Sequence, residues 1–511
     1  MTTNPAIGII GCGTVGACMV AALAASADRL GPHDLVLIDE EKDRWRGRAY
    51  QHDTSAVLAN GPMAGMSLHA GDAQHGVRWA ERHGFEVGPD SAGEHRFLPR
   101  PAYGDYVEDG VTEALRLLVR AGWRIRSVGE RATGLEAGRD QVTVSTARHR
   151  LTLTYAVLCL GGRADADPYR LRGTPGYVHD PYPLERALAD LPEAAEVAVL
   201  GSGMIATDVL MALRDRRHRG PITVLSRSGI MPSVRRNVTT AQARVLTRDG
   251  LAATGTGELS LAEIARLAET EVRDAGGDFR ALAADVGSPL PAEQRLRRQL
   301  AAVASPDPGP QLLQRAVVEV GQDLWLRLPP QDQERVLRTY HTQLWSFAST
   351  IPRVTAAHVA RMFGNGQLRL HAGLSSAAPA AGGGFLVGHQ AGTSRADVVV
   401  NAITSVRRAE PPQAQPLLDS MRAAGLVTDH RFGGIAIEPA TGRAVPAPGG
   451  EGAPIYALGE LTRGTYYLVS LVAAFTRRAQ DIVADIVASA PSPSPSSAPA
   501  SRYAASLSGT P

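Results

Sequence analysis

The sequence is short of several residue types, and each shortage argues against a class of protein. Only Cys12, Cys18 and Cys159 are cysteines among 511 residues, and no two stand in a C-x-x-C spacing. That argues against a redox dithiol and against a four-cysteine zinc site. Three lone thiols suit a reducing, cytoplasmic setting. Lysine is nearly absent: Lys42 is the single one, so the net charge of +2 is arginine set against Asp and Glu. No basic run is interleaved with aromatics, as a nucleic-acid groove would require. No uncharged apolar run is long enough to span a bilayer. The amino terminus has no basic stretch ahead of its first apolar run, so that run reads as part of the fold. Histidines 69, 75, 83 and 95 show neither i,i+4 pairing on a helix pattern nor a carboxylate partner, and no metal is expected. What is present, 44% apolar and 20% charged residues, describes a globular chain long enough for two or three domains.

The clearest positive signal lies at the start. An apolar strand pattern at residues 7–10 runs into Gly11-x-Gly13-x-x-Gly16 and then into a small, apolar helix pattern over residues 17–27. Gly11 permits a tight turn, Gly13 lets backbone approach a diphosphate, and Gly16 lets the helix pack close to the strand. The amide-rich, positive N-terminus of that helix would hold the diphosphate, with Thr14 and Val15 of the loop also expected to contact it. A second strand, residues 34–38, ends at Asp39, whose carboxylate suits the hydroxyls of an adenosine ribose.

The opening idea recurs. Residues 196–200 read as a strand, Gly201-x-Gly203-Met204-x-Ala206 as a phosphate loop, residues 207–217 as a helix and 222–225 as the next strand. This second strand ends in Ser226-Arg227 and not in an acid. A carboxylate there would repel a 2′-phosphate, whereas arginine takes one bidentately, so NADPH is expected in preference to NADH. Arg235 and Arg236 are possible helpers. Two such units define an α/β fold with two interleaved Rossmann-like dinucleotide-binding domains.

Between and around these units the pattern is coarser. Residues 58–67 are too rich in Gly and Pro for regular structure. A helix pattern follows residues 97–106 and continues to about 121. Short alternating stretches at 125–128, 142–146 and 151–154 read as a β-meander, and residues 156–160 form an apolar strand closed by Gly161. Residues 240–350 are helical and polar, an α-helical insertion. Strands return at 367–371, 385–387 and 397–401. A strand from residue 455 ends at Gly459-Glu460, and residues 466–488 read as a long amphipathic helix beginning near Thr465. The expected division is 1–163 and 406–488 for the first domain, 164–239 for the second, 240–350 for the insertion, and 351–405 for a return of both. Residues 489–511 are a Ser/Pro/Ala tail that cannot bury enough apolar surface to order itself.

Several of these stretches together resemble bacterial FAD/NAD(P)-binding proteins related to the flavin-dependent monooxygenases, particularly the amino-acid N-hydroxylases. The resemblance rests on Gly11 to Gly16, the Arg48-Ala49-Tyr50 segment, Asn60 to Ser67, and Pro99-Arg100 with Tyr103 and Tyr106. It extends to Val157–Gly161, Gly201–Asp208 with Ser226-Arg227, Asp397–Thr404 and Ala457–Gly464. It departs at Ala102, where relatives carry a larger residue, at Cys159-Leu160-Gly161, where they commonly read A-T-G, and at Glu460, where many carry Asp.

The resemblance implies FAD at the first loop, with Gly161, Gly459 and Glu460 reaching it from later in the chain. The positive end of the Thr465 helix would face the flavin ring. Asn60, Ser67, Arg100, Tyr103 and Tyr466 become candidates to line the flavin pocket. It implies NADPH at the second loop, O2 as co-substrate, and N-hydroxylation of a small amino-acid-like amine. No catalytic acid–base pair is visible in the sequence, as suits chemistry carried by the flavin. Two alternatives stay open: a flavin oxidoreductase that passes electrons from NADPH to O2, a quinone or a partner without inserting oxygen, and a dinucleotide-binding regulator. The absent C-x-x-C argues against dithiol reductases, and the intact second loop against a one-ligand sensor. Oligomeric state is not legible.

Overall fold

The computed structural model describes residues 4–40, 44–89, 93, 95–161, 167–403 and 410–489. The proposed disordered tail lies outside them, apart from Ser489.

Two five-stranded parallel sheets organise the chain. The first runs in the order Ile455–Ala457, Tyr155–Leu158, Ala6–Ile10, Asp34–Ile38, Arg124–Val128. The second runs Tyr177–Val178, Val398–Asn401, Val197–Leu200, Ile222–Leu225, Leu368–His371. The central strands are continuous apolar runs because both faces of each sheet are covered, by helices on one side and mainly by a three-stranded antiparallel sheet on the other. In each sheet the strand that leads into a glycine loop is central. A strand arriving from a three-stranded antiparallel sheet flanks it: Gly134–Ala137, Val142–Ser145 and Arg150–Leu153 in one case, Ser376–Pro379, Phe385–His389 and Gly392–Ala396 in the other.

The helix Thr14–Ala25 carries small and apolar residues on all sides and is buried from Gly16 to Leu23. It packs between the Arg100–Arg120 and Val472–Ser489 helices. Residues 240–350 are helical as expected, from Arg248–Ala253 to His341–Ala348. The helix Leu261–Asp274 starts on a reciprocal Ser260–Glu263 capping box. The insertion is tied to the first unit through Asp323, which pairs with Arg477 at 3.1 Å and Arg478 at 3.0 Å.

Several boundaries differ from the sequence reading, among them three near the first unit's site. Residues 125–128 do not join the meander: Arg124–Val128 pairs in parallel with Asp34–Ile38, and Gly134–Ala137 takes the meander place instead. The first helix begins at Thr14, immediately after the glycine turn, and not at residue 17. The last long helix begins at Val472, not near Thr465. Leu468 holds a left-handed φ of 59°, which no helix accommodates. The Tyr467 ring stacks on Trp325 at 4.9 Å, so the preceding segment follows tertiary contacts and not helix propensity.

Candidate functional site

The two glycine loops are near-copies in geometry. Gly11 has φ +97°, and a methyl group built on it would fall 2.6 Å from the Cys159 carbonyl oxygen; Gly201 has φ +110°, and its methyl would fall 2.6 Å from the Ala402 carbonyl. Only glycine accepts both the left-handed turn and the close carbonyl. The Gly11 N–H donates to Ile38 O at 3.0 Å and that of Gly201 to Leu225 O at 2.7 Å. Gly13 and Gly203 then precede the helices Thr14–Ala25 and Met204–Asp215 in the same extended conformation, φ −84° at both, with no side-chain cap. Each helix therefore opens with free first-turn amides and a positive dipole end, which is a receptor for a diphosphate.

The first loop opens on a cavity of about 360 Å³, within the size range of small-molecule sites. Gly11, Gly13, Thr14, Val15, Asp39, Gly161 and Glu460 line it. Arg48, Tyr50, Ser470 and Phe475, none of them singled out as site residues from the sequence, line it too. Gly16 sits behind the loop: its added methyl would lie 2.4 Å from Gly11 O. The Asp39 carboxylate accepts the Cys12 N–H at 2.5 Å, which fixes it at the strand end. Burial pushes the Cys12 thiol up to about 12, so it stays protonated and inert. Glu460 Oε1 accepts from Ser470 Oγ at 2.8 Å, and Gly459 (φ +82°) lets the chain pass close to Val15. Thr465 and Tyr466 are not on the cavity wall. Thr465 is buried with its hydroxyl unpartnered among the described residues, and the Tyr466 hydroxyl donates to Pro439 O at 2.6 Å under the Arg478 guanidinium.

The remaining candidates sit behind that wall. Tyr103 is fully buried against Tyr50, ring centroids 4.5 Å apart, and donates to Met66 O at 2.8 Å. Ser67 Oγ donates within its own turn, to Asp72 O at 2.7 Å. Asn60 accepts on its backbone oxygen a bond from Arg235 Nη2 at 3.2 Å. Arg46, absent from the sequence reading, is 1% exposed and pairs with Asp105 and Glu108, pinning the loop that carries Arg48 and Tyr50 to the Arg100–Arg120 helix.

A polar seam joins the two units. Arg100 Nη1 meets Asp208 Oδ2 at 2.7 Å with both side chains buried, and the Tyr182 hydroxyl donates to the same carboxylate. Arg48 grips Asp180 with Nη2 at 2.8 Å and Nε at 3.2 Å, its guanidinium 4.9 Å above the Tyr182 ring. Thr54 Oγ1 donates to Asp215 at 2.7 Å. Asp208 and Asp215 lie on the helix that follows the second glycine loop, so the seam sets that helix against the first cavity.

At the second loop, Ala206 is fully buried. Ser202 Oγ lies 2.8 Å from Ser226 Oγ and 2.6 Å from Ile230 O, so both hydroxyls brace the loop. Arg227 is exposed at the strand end, with no acidic partner among the described residues. An exposed arginine contact to a 2′-phosphate is worth less than a buried one, about 1.4 kcal/mol or tenfold. Arg227→Ala should therefore raise the Kd for NADPH about tenfold and leave that for NADH nearly unchanged, in titrations of the two coenzymes side by side. Equal losses with both would make Arg227 structural.

Among the described residues no group of three or more His, Cys, Asp or Glu is placed to hold a metal, and no helix is long and apolar enough to cross a membrane.

Two glycine-loop units on parallel sheets, interleaved in one chain, define an α/β protein with two dinucleotide-binding modules. Residues 8–163 match the family model described as FAD-NAD(P)-binding. The whole chain is similar in fold to ornithine hydroxylase from Pseudomonas aeruginosa, with a TM-score of 0.58 and 15% identity over 95% of this chain and 99% of that one. It is similar to the ornithine N-hydroxylase of Kutzneria sp. 744 (0.57, 16%, 95% and 99%), a structure with reduced FAD, NADP+ and L-ornithine. L-lysine 6-monooxygenase from Pseudomonas syringae is a third (0.56, 15%, 94% and 99%). A comparison with curated proteins found no match.

Proposed function

We propose that the chain is an FAD-dependent, NADPH-using monooxygenase that N-hydroxylates a small amino-acid-like amine. The observation that carries this reading is the duplicated glycine loop, two diphosphate receptors of the same geometry set against one another by a buried polar seam. A single-ligand regulator has no need of the second. The fold it shares with ornithine and lysine hydroxylases supports the choice of oxygen insertion over simple electron transfer.

The residue roles follow from placement. Gly11, Gly13, Thr14, Val15 and Gly16 form the diphosphate cradle for FAD, and Asp39 takes its ribose. Gly161, Gly459 and Glu460 border the remainder of the cofactor. Gly201, Gly203, Met204 and Ala206 cradle NADPH, with Ser226 bracing the loop and Arg227 at the 2′-phosphate. The domain division is proposed at the limits given above, 1–163 with 406–488, 164–239, 240–350 and 351–405. FAD, when bound, supplies hydride acceptance from NADPH and reaction of its reduced form with O2. The chain supplies the rest: Arg48 and Tyr50 shape the wall of the first cavity, Tyr103 backs Tyr50, and the seam holds the NADPH helix in register.

The test is stoichiometric. Purified protein supplied with NADPH, O2 and a panel of amino acids and amines should yield a hydroxylamine product for one of them, in near one-to-one ratio with NADPH consumed. H2O2 equal to NADPH for every compound would replace this reading with that of an oxidase or electron-transfer flavoprotein.

A further inference from the structure

The segment 45–54 is fastened at one end to the first glycine loop and at the other to the second unit. The Trp45 N–H donates to Cys12 O at 2.6 Å, and Thr14 Oγ1 donates to Trp45 O at 3.2 Å and Arg46 O at 3.1 Å. Gly47 follows with φ +58°, so close over the helix start that an added methyl would lie 3.2 Å from Thr14 Oγ1. At the far end, Asp53 accepts the N–H groups of Leu184 at 2.6 Å and Glu185 at 2.8 Å. Thr54 completes the attachment through Asp215, on the helix that follows the second glycine loop.

Arg48 stands where this segment passes from one unit to the other. It lines the first cavity, one residue beyond the glycine that covers Thr14. Its Nε and Nη2 are spent on Asp180 of the second unit, and its guanidinium lies over the ring of Tyr182. The Tyr182 hydroxyl in turn reaches Asp208, on the same helix as Asp215. Arg48 Nη1 donates to no described residue, so its N–H groups are unspent. Arg131, also on the cavity wall, pairs with Glu40 of the first unit instead. A guanidinium can hold a carboxylate on one edge and a phosphate oxygen with the donors that remain. We infer that Arg48 is a positioning residue that couples the two coenzyme sites: Asp180 holds one edge of its guanidinium, and the diphosphate of FAD in the first cavity takes the rest. FAD then fixes Arg48, and Arg48 fixes Asp180 and Tyr182. Through Asp208 the second diphosphate receptor is held ready for NADPH. The cost of ordering this junction is met by whichever coenzyme binds first, so the other binds more tightly. This rests on the assignment of FAD and NADPH to the two loops.

Such coupling is reciprocal: NADP+ must tighten FAD by the factor that FAD tightens NADP+. The FAD-loaded protein therefore suffices for the test. FAD released on dilution is followed by its fluorescence, with and without saturating NADP+, which drives no turnover. In wild type, NADP+ should lower the Kd for FAD at least about fivefold. Arg48→Met should raise that Kd about tenfold, the effect of a charge-assisted contact partly open to solvent. It should also bring the NADP+ effect to within about twofold. Asp180 is not on the cavity wall. Asp180→Asn should accordingly remove most of the NADP+ effect while leaving the Kd without NADP+ within about threefold. It decides the matter by itself should Arg48→Met fail to fold. Arg131→Met should keep the NADP+ effect whatever it costs FAD. A wild-type protein that binds both coenzymes, but whose FAD affinity ignores NADP+, would overturn the inference. An NADP+ effect that survives in Arg48→Met or in Asp180→Asn would overturn it too, leaving Arg48 as a ligand of FAD or a structural ion pair. Loss of the effect in Arg131→Met would overturn it as well, by making the coupling a property of the whole cavity. Failure of wild type to bind FAD or NADP+ would instead remove the loop assignments, and this inference with them.

Discussion

Gly13→Val is expected to give a folded chain stripped of flavin. The three glycines of the first loop differ in what their missing side chains make room for. A methyl on Gly11 would strike the Cys159 carbonyl at 2.6 Å, and one on Gly16 would strike Gly11 O at 2.4 Å, so both serve the protein itself. A methyl on Gly13 meets nothing closer than Gly47 Cα at 3.5 Å, an ordinary contact. The fold therefore tolerates a side chain at 13, yet Gly13 borders the cavity. What the glycine leaves space for is a ligand. Gly203 repeats the case at the second loop, with nothing within 4 Å. A branched side chain at 13 would overlap the diphosphate at a cost of about 1–3 kcal/mol. It would also remove amide–phosphate bonds worth about 1.5–3 kcal/mol. Together these amount to a loss of roughly 10²- to 10⁴-fold in FAD affinity. The flavin-to-protein absorbance ratio after gel filtration measures it, and a denaturation midpoint near that of the wild-type apoprotein confirms the fold. Gly11→Val, by contrast, should destabilise the apoprotein as well. Full flavin content in Gly13→Val would remove the first loop as the cofactor site.

What could be read ahead of the structure was what is local. Strand, glycine turn and helix follow one another within a dozen residues at both loops, and their demands on φ and on close approach are met by residues adjacent in sequence. Asp34–Ile38 and Ile222–Leu225 were legible for the same reason, as apolar runs bounded by turns. The partner of a strand is not local. Arg124–Val128 looks like a meander strand by its alternation, and only its register with Asp34–Ile38 puts it on the parallel sheet. The start of the last helix was misplaced because tyrosines at 466 and 467 are bound by Pro439, Arg478 and Trp325, which the sequence does not place beside them.

The seam was invisible for the same reason. Arg48 and Asp180 are 132 residues apart, and Arg235 and Asn60 are 175 apart. Nothing in the spacing of charged residues distinguishes these from solvated surface groups. One signal was available: Asp208 falls in the middle of an otherwise apolar helix pattern after the second loop, and a carboxylate there must be buried with a partner or force the helix to turn it outward. The structure takes the first course, with Asp208 3% exposed.

That buried pair leads to the second large effect expected. Asp208→Ala should cost about 3–5 kcal/mol of stability, because it leaves the Arg100 guanidinium enclosed without a counter-ion. Arg100 is held in place from both sides, by Leu58 O at 3.2 Å and by Tyr182, so it cannot swing out to water cheaply. A buried pair of this kind adds little over apolar residues of similar size, because desolvation of both charges opposes their attraction. Burial pushes the Asp208 carboxyl up to about 6, while Arg100 and the Tyr182 hydroxyl pull it down. Replacing both partners with apolar residues of similar size, Arg100→Met with Asp208→Leu, should therefore recover most of the loss and approach wild-type stability. What the double variant should not recover is alignment. Arg100 sits on the first unit's long helix and Asp208 on the helix that follows the second glycine loop, and the ion pair links the two directly. Hydride transfer falls steeply when donor and acceptor are misplaced by about 1 Å, on the order of 10²-fold. NADPH-dependent flavin reduction in the double variant should accordingly slow by up to about that factor, at coenzyme concentrations that saturate it. Denaturant midpoints of the two single variants and the double variant, with stopped-flow reduction rates alongside, separate the two roles. A double variant that is stable and reduces its flavin at the wild-type rate would leave the seam with no part in positioning, and a double variant as unstable as Asp208→Ala would mean that the cost lies in packing and not in the unpaired charge.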